Sequence, residues 1–107
     1  MTVAALARTP TAHASKYLQQ LCKHWSHSLT VDFTPEQGRI LFPKDGKAGR
    51  FAGEAVVTLS AQPDTLECRI EASEPAQLEA MKRVLASHLD RFAFKEAPLA
   101  FDWTGEG

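Results

Sequence analysis

The sequence is short of the features that mark several large classes of protein. It has two cysteines, Cys22 and Cys68, which are too few for the disulfide framework of a small secreted domain. No apolar run approaches the ~18 residues that a membrane-spanning helix needs. Because 12 basic and 13 acidic residues give a formal net charge of −1, the overall charge favours neither nucleic acid nor a membrane as a partner.

The N-terminal stretch "MTVAALARTPTA" has no basic residues ahead of its short apolar run, so it is not typical of a secretory signal. We therefore expect a reduced, cytoplasmic protein. The chain has 107 residues, of which 44% are hydrophobic, and this is the length and composition of one domain with one packed core. We predict a single domain over residues 1–107.

Two segments have the apolar periodicity of an amphipathic helix. The first runs from about Thr11 to His27, with Pro10 expected in its first turn. Its apolar stripe consists of Ala14, Tyr17, Leu18, Leu21, Cys22 and Trp25. The second follows Ser73, the expected cap, and has Pro75 in its first turn. Its apolar stripe consists of Leu78, Met81, Leu85, Leu89 and Phe92.

The other segments have the composition and alternation of short strands. We predict strands over residues 3–8, 28–33, 39–43, 51–61, 66–72 and 99–103, and a frayed end over 104–107. Four consecutive strands joined by turns imply an antiparallel meander with one apolar face. The predicted fold class is therefore α+β, in the order β-α-β-β-β-β-α-β, with two helices packed on one face of the sheet.

The first helix carries most of the side chains that could do chemistry. At 100° per residue, its three histidines lie within about 60° of one another at one margin of the apolar stripe: His13, His24 and His27. His88 has a similar marginal position on the second helix. If both helices lie side by side on the sheet, His24 and His88 approach each other.

These histidines have two interpretations. Imidazoles suit zinc or iron, so His24, His27 and His88 are candidate metal ligands. However, the sequence has no Cys-x-x-Cys or His-Glu-x-x-His spacing, and Cys22 lies on the opposite flank of the stripe. A histidine near a tryptophan such as Trp25 can also serve simply as the hydrogen-bond partner of the indole N–H.

Covalent catalysis has little support in the sequence. Cys22 falls within an apolar stripe, where burial would raise the pKa of a thiol and suppress the reactive thiolate. No serine lies in a Gly-x-Ser-x-Gly elbow. We assign no catalytic residue and no cofactor.

Two motifs near the ends of the chain resemble a known family. The stretches "TPTAHASKYLQQLCKHWSH" and "HLDRFAFKEAPLAFDW" are similar to those of the small bacterial proteins grouped as domain of unknown function 2218, and the resemblance covers nearly the whole chain. The matching positions are Ala14, Tyr17, Leu18, Leu21, Cys22, His24, Trp25, His27, His88, Leu89, Arg91, Phe92, Phe94 and Trp103. The family brings no established activity. Similar domains occur fused to or near siderophore-interacting flavin reductases, so the resemblance implies an accessory role in iron uptake.

We therefore predict a non-enzymatic binding or accessory module. Its predicted ligand-binding patch lies near the C-terminal ends of both helices and consists of His24, Trp25, His27, His88 and Arg91. A cationic and aromatic patch suits a small acidic ligand or an acidic surface of a protein partner. Two alternatives stay open: an iron or zinc protein with His24, His27 and His88 as ligands, and a structural domain that forms a homodimer or binds a partner through a sheet edge.

Overall fold

Two helices lie on one face of a six-stranded antiparallel sheet in the computed structural model, which describes residues 2–46 and 49–106. The helices are α1 (Ala14–Trp25) and α2 (Pro75–Phe92). In chain order the strands are β1 (Val3–Pro10), β2 (Thr30–Phe33), β3 (Gln37–Phe42), β4 (Asp45–Gly46), β5 (Gly49–Arg50), β6 (Ala55–Gln62), β7 (Thr65–Ala72) and β8 (Thr104–Glu106). The predicted α+β class is confirmed.

The strands of the sheet follow the spatial order β2-β3-β6-β7-β1-β8. Its first four strands are the predicted antiparallel meander. The connection over residues 44–50 adds a small separate hairpin, in which β4 pairs with β5, and residues 47 and 48 lie outside the described residues. Strand β1 pairs with β7 from Val3 opposite Ala72 to Pro10 opposite Thr65, and with β8 on its other side. The first strand of the chain is therefore an interior strand.

One core lies between the sheet and the helices. All six residues of the predicted α1 stripe are buried, as are four of the five predicted for α2, while Phe92 is partly buried. In β7 the alternation also holds, since Leu66, Cys68 and Ile70 are each 0% exposed. The apolar periodicity of the sequence therefore predicted correctly which face of each element packs inward.

Helix α1 lies close to the sheet at Gly38 of β3. A Cβ atom on Gly38 would lie 2.7 Å from the Sγ atom of Cys22, so a larger residue would push the helix away from the strand. Burial raises the pKa of the Cys22 thiol to about 11 and that of Cys68 to about 12. Both cysteines are therefore protonated, buried side chains that pack as small hydrophobic residues.

The C-terminal segment corrects two predictions. Residues 99–103 do not form a strand, and residues 104–106, which were expected to fray, form β8 by pairing with β1. Leu99 is nevertheless buried, and its N–H donates to Asp90 Oδ1 at 3.0 Å. Phe101 and Trp103 stack on each other, with ring centroids 5.9 Å apart, and pack against the core. The alternating apolar residues therefore reflect packing of an irregular segment and not a strand.

Both helices begin differently from the prediction. Pro10 is the last residue of β1, and α1 begins only at Ala14, after a turn in which the His13 N–H donates to Thr11 Oγ1 at 3.1 Å. The residue that caps α2 is Glu74 and not Ser73, and its side chain makes no capping hydrogen bond.

Ser73 has a different role, which is to link α2 to the loop before β6. Its hydroxyl donates to Gln77 Oε1 at 2.6 Å, and Gln77 Nε2 donates to the Gly53 carbonyl at 2.9 Å. Gln77 is 0% exposed, so this network satisfies an amide group that would be costly to bury alone. Across the described ranges, no helix is long and apolar enough to span a bilayer.

Candidate functional site

The last turn of α1 places His24 against α2, as the sequence predicted for helices lying side by side. The rings of His24 and His88 have centroids 5.5 Å apart and planes inclined at 44°. His24 also contacts Phe92 edge-on, at 5.9 Å between centroids. The two histidines meet because each occupies the margin of its helix where the apolar stripes of α1 and α2 adjoin.

Trp25 connects this histidine pair to the core. Its ring lies 5.0 Å from His88 and 5.0 Å from Phe42, which it meets edge-on at 83°. Trp25 is buried because it belongs to the apolar stripe of α1, and Phe42 is buried at the end of β3. The end of the helix and the end of the strand therefore form one aromatic surface.

This aromatic surface borders a cavity of about 530 Å³. The cavity is lined by His24, Trp25, Ser28, Leu29, Phe42, Pro43, Gly49, Met81, Val84 and His88. The polar side chains among these are His24, Ser28 and His88, and the others are apolar or glycine. A mostly apolar cavity with a few polar groups is the usual form of a small-molecule site, and such sites have volumes of about 300–1,000 Å³.

Hydrogen bonding fixes how His88 faces a ligand. Its Nδ1 atom lies 2.8 Å from the carbonyl oxygen of Val84, one turn earlier in α2. A carbonyl only accepts hydrogen bonds, so Nδ1 carries a hydrogen and donates it. The other ring nitrogen, Nε2, is left as an acceptor in the neutral ring and becomes a donor when the ring is protonated.

The predicted patch is assembled only in part. His24, Trp25 and His88 line the cavity, whereas His27 and Arg91 do not. His24, His27 and Arg91 are all exposed. His27 lies elsewhere because α1 ends at Trp25, so its helical position beside His24 was wrong.

Most of the cavity wall was missed by reasoning from the sequence. Met81 and Val84 precede His88 by two turns and one turn of α2, so helical spacing could have placed them on the same side. Phe42 and Leu29 belong to other elements, and nothing in their local sequence signals the cavity.

The alternative metal site is not assembled. Within residues 2–46 and 49–106, no group of three or more histidine, cysteine, aspartate or glutamate side chains could hold a metal ion. The predicted set of His24, His27 and His88 fails because His27 lies beyond the end of α1.

A smaller cavity, of about 170 Å³, adjoins the first. The two share Ser28, Leu29 and Pro43, and the smaller one also contacts Thr30, Leu41 and Glu54. A ligand in the main cavity could therefore extend along the connection between α1 and β2 toward a more polar surface.

A second polar cluster lies at the opposite end of α1. The hydroxyl of Tyr17 donates to Glu96 Oε2, and Thr11 Oγ1 lies 3.1 Å from each oxygen of the same carboxylate. The hydrogen bond to Glu96, with burial, raises the pKa of Tyr17. The hydrogen bond from Tyr17 lowers the pKa of Glu96 despite some desolvation. These groups satisfy one another, which is typical of a structural contact.

Comparison with known proteins places the chain among its relatives. The family described as "Uncharacterized protein conserved in bacteria (DUF2218)" matches residues 6–104. The fold is similar to that in the NMR structure of PA4090 from Pseudomonas aeruginosa, with a TM-score of 0.72 and 31% sequence identity over 94% of each chain. No curated protein matches the sequence.

Proposed function

Because the chain belongs to the DUF2218 family of uncharacterised bacterial proteins, we propose a function from its cavity: the protein is a non-enzymatic module that binds a small acidic molecule beside the His24–His88 pair. The observation that carries this proposal is the cavity of about 530 Å³, with both histidines on its wall.

The shape and wall of the cavity favour a small molecule over the flat surface of a protein partner. Trp25 and Phe42 contribute large aromatic surfaces from two different elements, and Met81 and Val84 contribute aliphatic ones from α2. A ligand enclosed by these side chains would bury most of its own apolar surface, which is the main source of affinity in such sites.

The histidine pair supports an acidic group on that ligand. A protonated imidazole donates a charge-assisted hydrogen bond to a carboxylate, and such bonds are roughly twice as strong as neutral ones. His88 is well oriented for this contact because its Nδ1 hydrogen bond to Val84 leaves Nε2 for the ligand. His24 supplies a second imidazole 5.5 Å away.

The proposal is tested by titrating ¹⁵N-labelled protein with a panel of small carboxylates, their amides and ferric chelates. We expect carboxylates to shift the backbone signals of Trp25, Leu29, Val84 and His88 and to raise the melting temperature, because a ligand that binds only the folded state stabilises it. The ferric chelates test the iron-uptake role that the family resemblance implies.

Two variants provide the controls. Val84→Trp should fill the cavity and abolish the shifts, whereas His27→Ala removes an exposed histidine outside the lining and should leave them unchanged. If no compound shifts the cavity signals at millimolar concentration, the proposed function is wrong. Shifts that persist unchanged in Val84→Trp would place the binding elsewhere.

A homodimer formed through a sheet edge is the alternative function that we propose. Strands β2 and β8 are the edges of the six-stranded sheet, and an unpaired edge can add a strand from another chain. Sedimentation velocity at several concentrations tests this directly. A sedimentation coefficient that rises with concentration supports dimerisation, and a constant monomeric value contradicts it.

A further inference from the structure

We infer that the cavity selects an aromatic carboxylate and that its binding is coupled to the uptake of a proton by the His24–His88 pair. This inference rests on the proposed function and names the class of ligand and the way in which pH regulates its binding.

The first step concerns the hydrogen-bonding state of His88. Its Nδ1–H is already committed to the carbonyl of Val84, at 2.8 Å. In the neutral ring, Nε2 therefore carries a lone pair, and a carboxylate also presents only lone pairs. A carboxylate can hydrogen-bond to Nε2 only after this atom gains a proton, so an anionic ligand selects the protonated ring.

The second step concerns the distance between the two imidazoles. With ring centroids 5.5 Å apart, positive charges on His24, which is exposed, and on His88, which is half-buried, would repel each other. A carboxylate bound beside both rings offsets this repulsion, so binding should increase the average number of protons on the pair.

The third step concerns the other charged groups nearby. Among the described residues that line the cavity, His24 and His88 are the only titratable side chains. Besides His88, α2 contributes Met81 and Val84 to the lining. In the nearby β4–β5 hairpin, Arg50 Nε lies 3.4 Å from Asp45 Oδ1, and Glu54 lines the adjoining smaller cavity. Arg91 lies outside the lining. The pH dependence of anion binding should therefore come from the histidine pair.

The aromatic character of the ligand follows from the ring geometry. Trp25 meets Phe42 edge-on, and the rings of Trp25 and His88 are inclined at 48° with centroids 5.0 Å apart. Aromatic rings prefer offset or edge-on contacts with other rings, and these three aromatic side chains all line the cavity. A planar ring that carries a carboxylate matches the apolar wall and the histidine pair together.

The experiment compares 2-naphthoate with 2-naphthamide, which has nearly the same shape and no charge. Affinities are measured by isothermal titration calorimetry at pH 8, 7 and 6, in buffers of different ionisation enthalpy. An aromatic carboxyl group, with a pKa of about 4, stays ionised over this range. We expect naphthoate to bind more tightly as the pH falls, by up to about tenfold per pH unit for each proton taken up. The affinity of naphthamide should not change with pH.

Glutamine variants of the two histidines show which ring takes up the proton on binding. His88→Gln keeps a polar side chain of similar reach and should remove most of the pH dependence, and His24→Gln should reduce it independently. His27→Gln, outside the cavity lining, should behave as the wild type. Naphthoate that binds in the cavity with equal affinity at pH 6 and pH 8 would overturn the proton coupling and leave the proposed function standing. If neither probe binds while other carboxylates shift the cavity signals, the aromatic selectivity is wrong and the proposed function stands. If no carboxylate of the panel binds either, both fail.

Discussion

The two ends of α1 both hold polar side chains next to the C-terminal half of the chain, but they use them differently. At the start of the helix, Tyr17 and Thr11 bond to the carboxylate of Glu96, and this cluster is satisfied within the protein. At its end, His24 and His88 lie beside a cavity of about 530 Å³. The first group of side chains is bonded within the protein, whereas the second lines an open volume. Substitutions should therefore change stability at the first end and binding at the second.

The largest effect on stability should come from disrupting the packing of α1 against β3, on which both ends of the helix depend. Gly38→Ala would place a Cβ atom 2.7 Å from Cys22 Sγ and force α1 away from β3, with a loss of about 1–3 kcal/mol in the free energy of unfolding. Adding Cys22→Ala removes the obstructing sulfur and should recover part of that loss, as measured by urea unfolding in a double-mutant cycle. Losses that simply add would contradict a direct contact.

A smaller loss of stability should follow from breaking the cluster at the start of α1. Tyr17→Phe keeps the buried ring and removes only the hydroxyl and its hydrogen bond to Glu96, so the free energy of unfolding should fall, but by less than in Gly38→Ala. The same variant should bind ligands in the cavity as the wild type does. Weakened binding in Tyr17→Phe would show that the two ends of α1 are coupled and would contradict their separate roles in stability and binding.

The same cluster should make stability depend on pH in a defined direction. The pKa of Glu96 is lowered in the folded protein by its hydrogen bond from Tyr17, so its contribution is present above the unfolded pKa and is lost as pH falls through the folded value. The pKa of Tyr17 is raised, so its contribution is present below the unfolded pKa and is lost as pH rises through the folded value. As the pH is lowered from 7 to 3, the urea midpoint of Glu96→Gln should fall less steeply than that of the wild type. An unchanged slope would contradict this role.

The smallest effect on stability should come from the cavity end. His88 is only partly buried, and its hydrogen bond is to a carbonyl within its own helix, so His88→Gln should change the free energy of unfolding by no more than about 0.5 kcal/mol. It should nevertheless weaken carboxylate binding, as followed by NMR titration. A variant that loses more stability than Tyr17→Phe would reverse the comparison and give His88 a structural role.

Much of the fold could be predicted from local periodicity. The stripe from Ala14 to Trp25 is buried throughout, and the meander that ends in β7 has the predicted antiparallel pairing. These predictions hold because the polarity of each side chain is known from the sequence. Apolar residues at the regular spacing of a helix or strand lie on one face of that element.

The predictions from the sequence were wrong where contacts between distant parts of the chain, and not the local apolar pattern, decide the structure. Residues 99–103 alternate like a strand, but they do not pair with β1. Only residues 104–106 pair with β1, and Thr104 lies opposite Leu6. Similarly, His27 was placed beside His24 by extending the helical period beyond Trp25, where α1 in fact ends. Alternation shows which side chains are apolar, but it does not show whether the backbone has a partner.

By itself, the sequence determined that two amphipathic helices cover one face of an antiparallel sheet, and it placed His24 and His88 at the margins of those helices. Only the tertiary structure decided that the two rings meet, that Phe42 and Met81 join them, and that a cavity remains between them. The physical reason is that burial of a face depends on residues close together in the chain. A cavity depends on how separate elements pack and on where each of them ends.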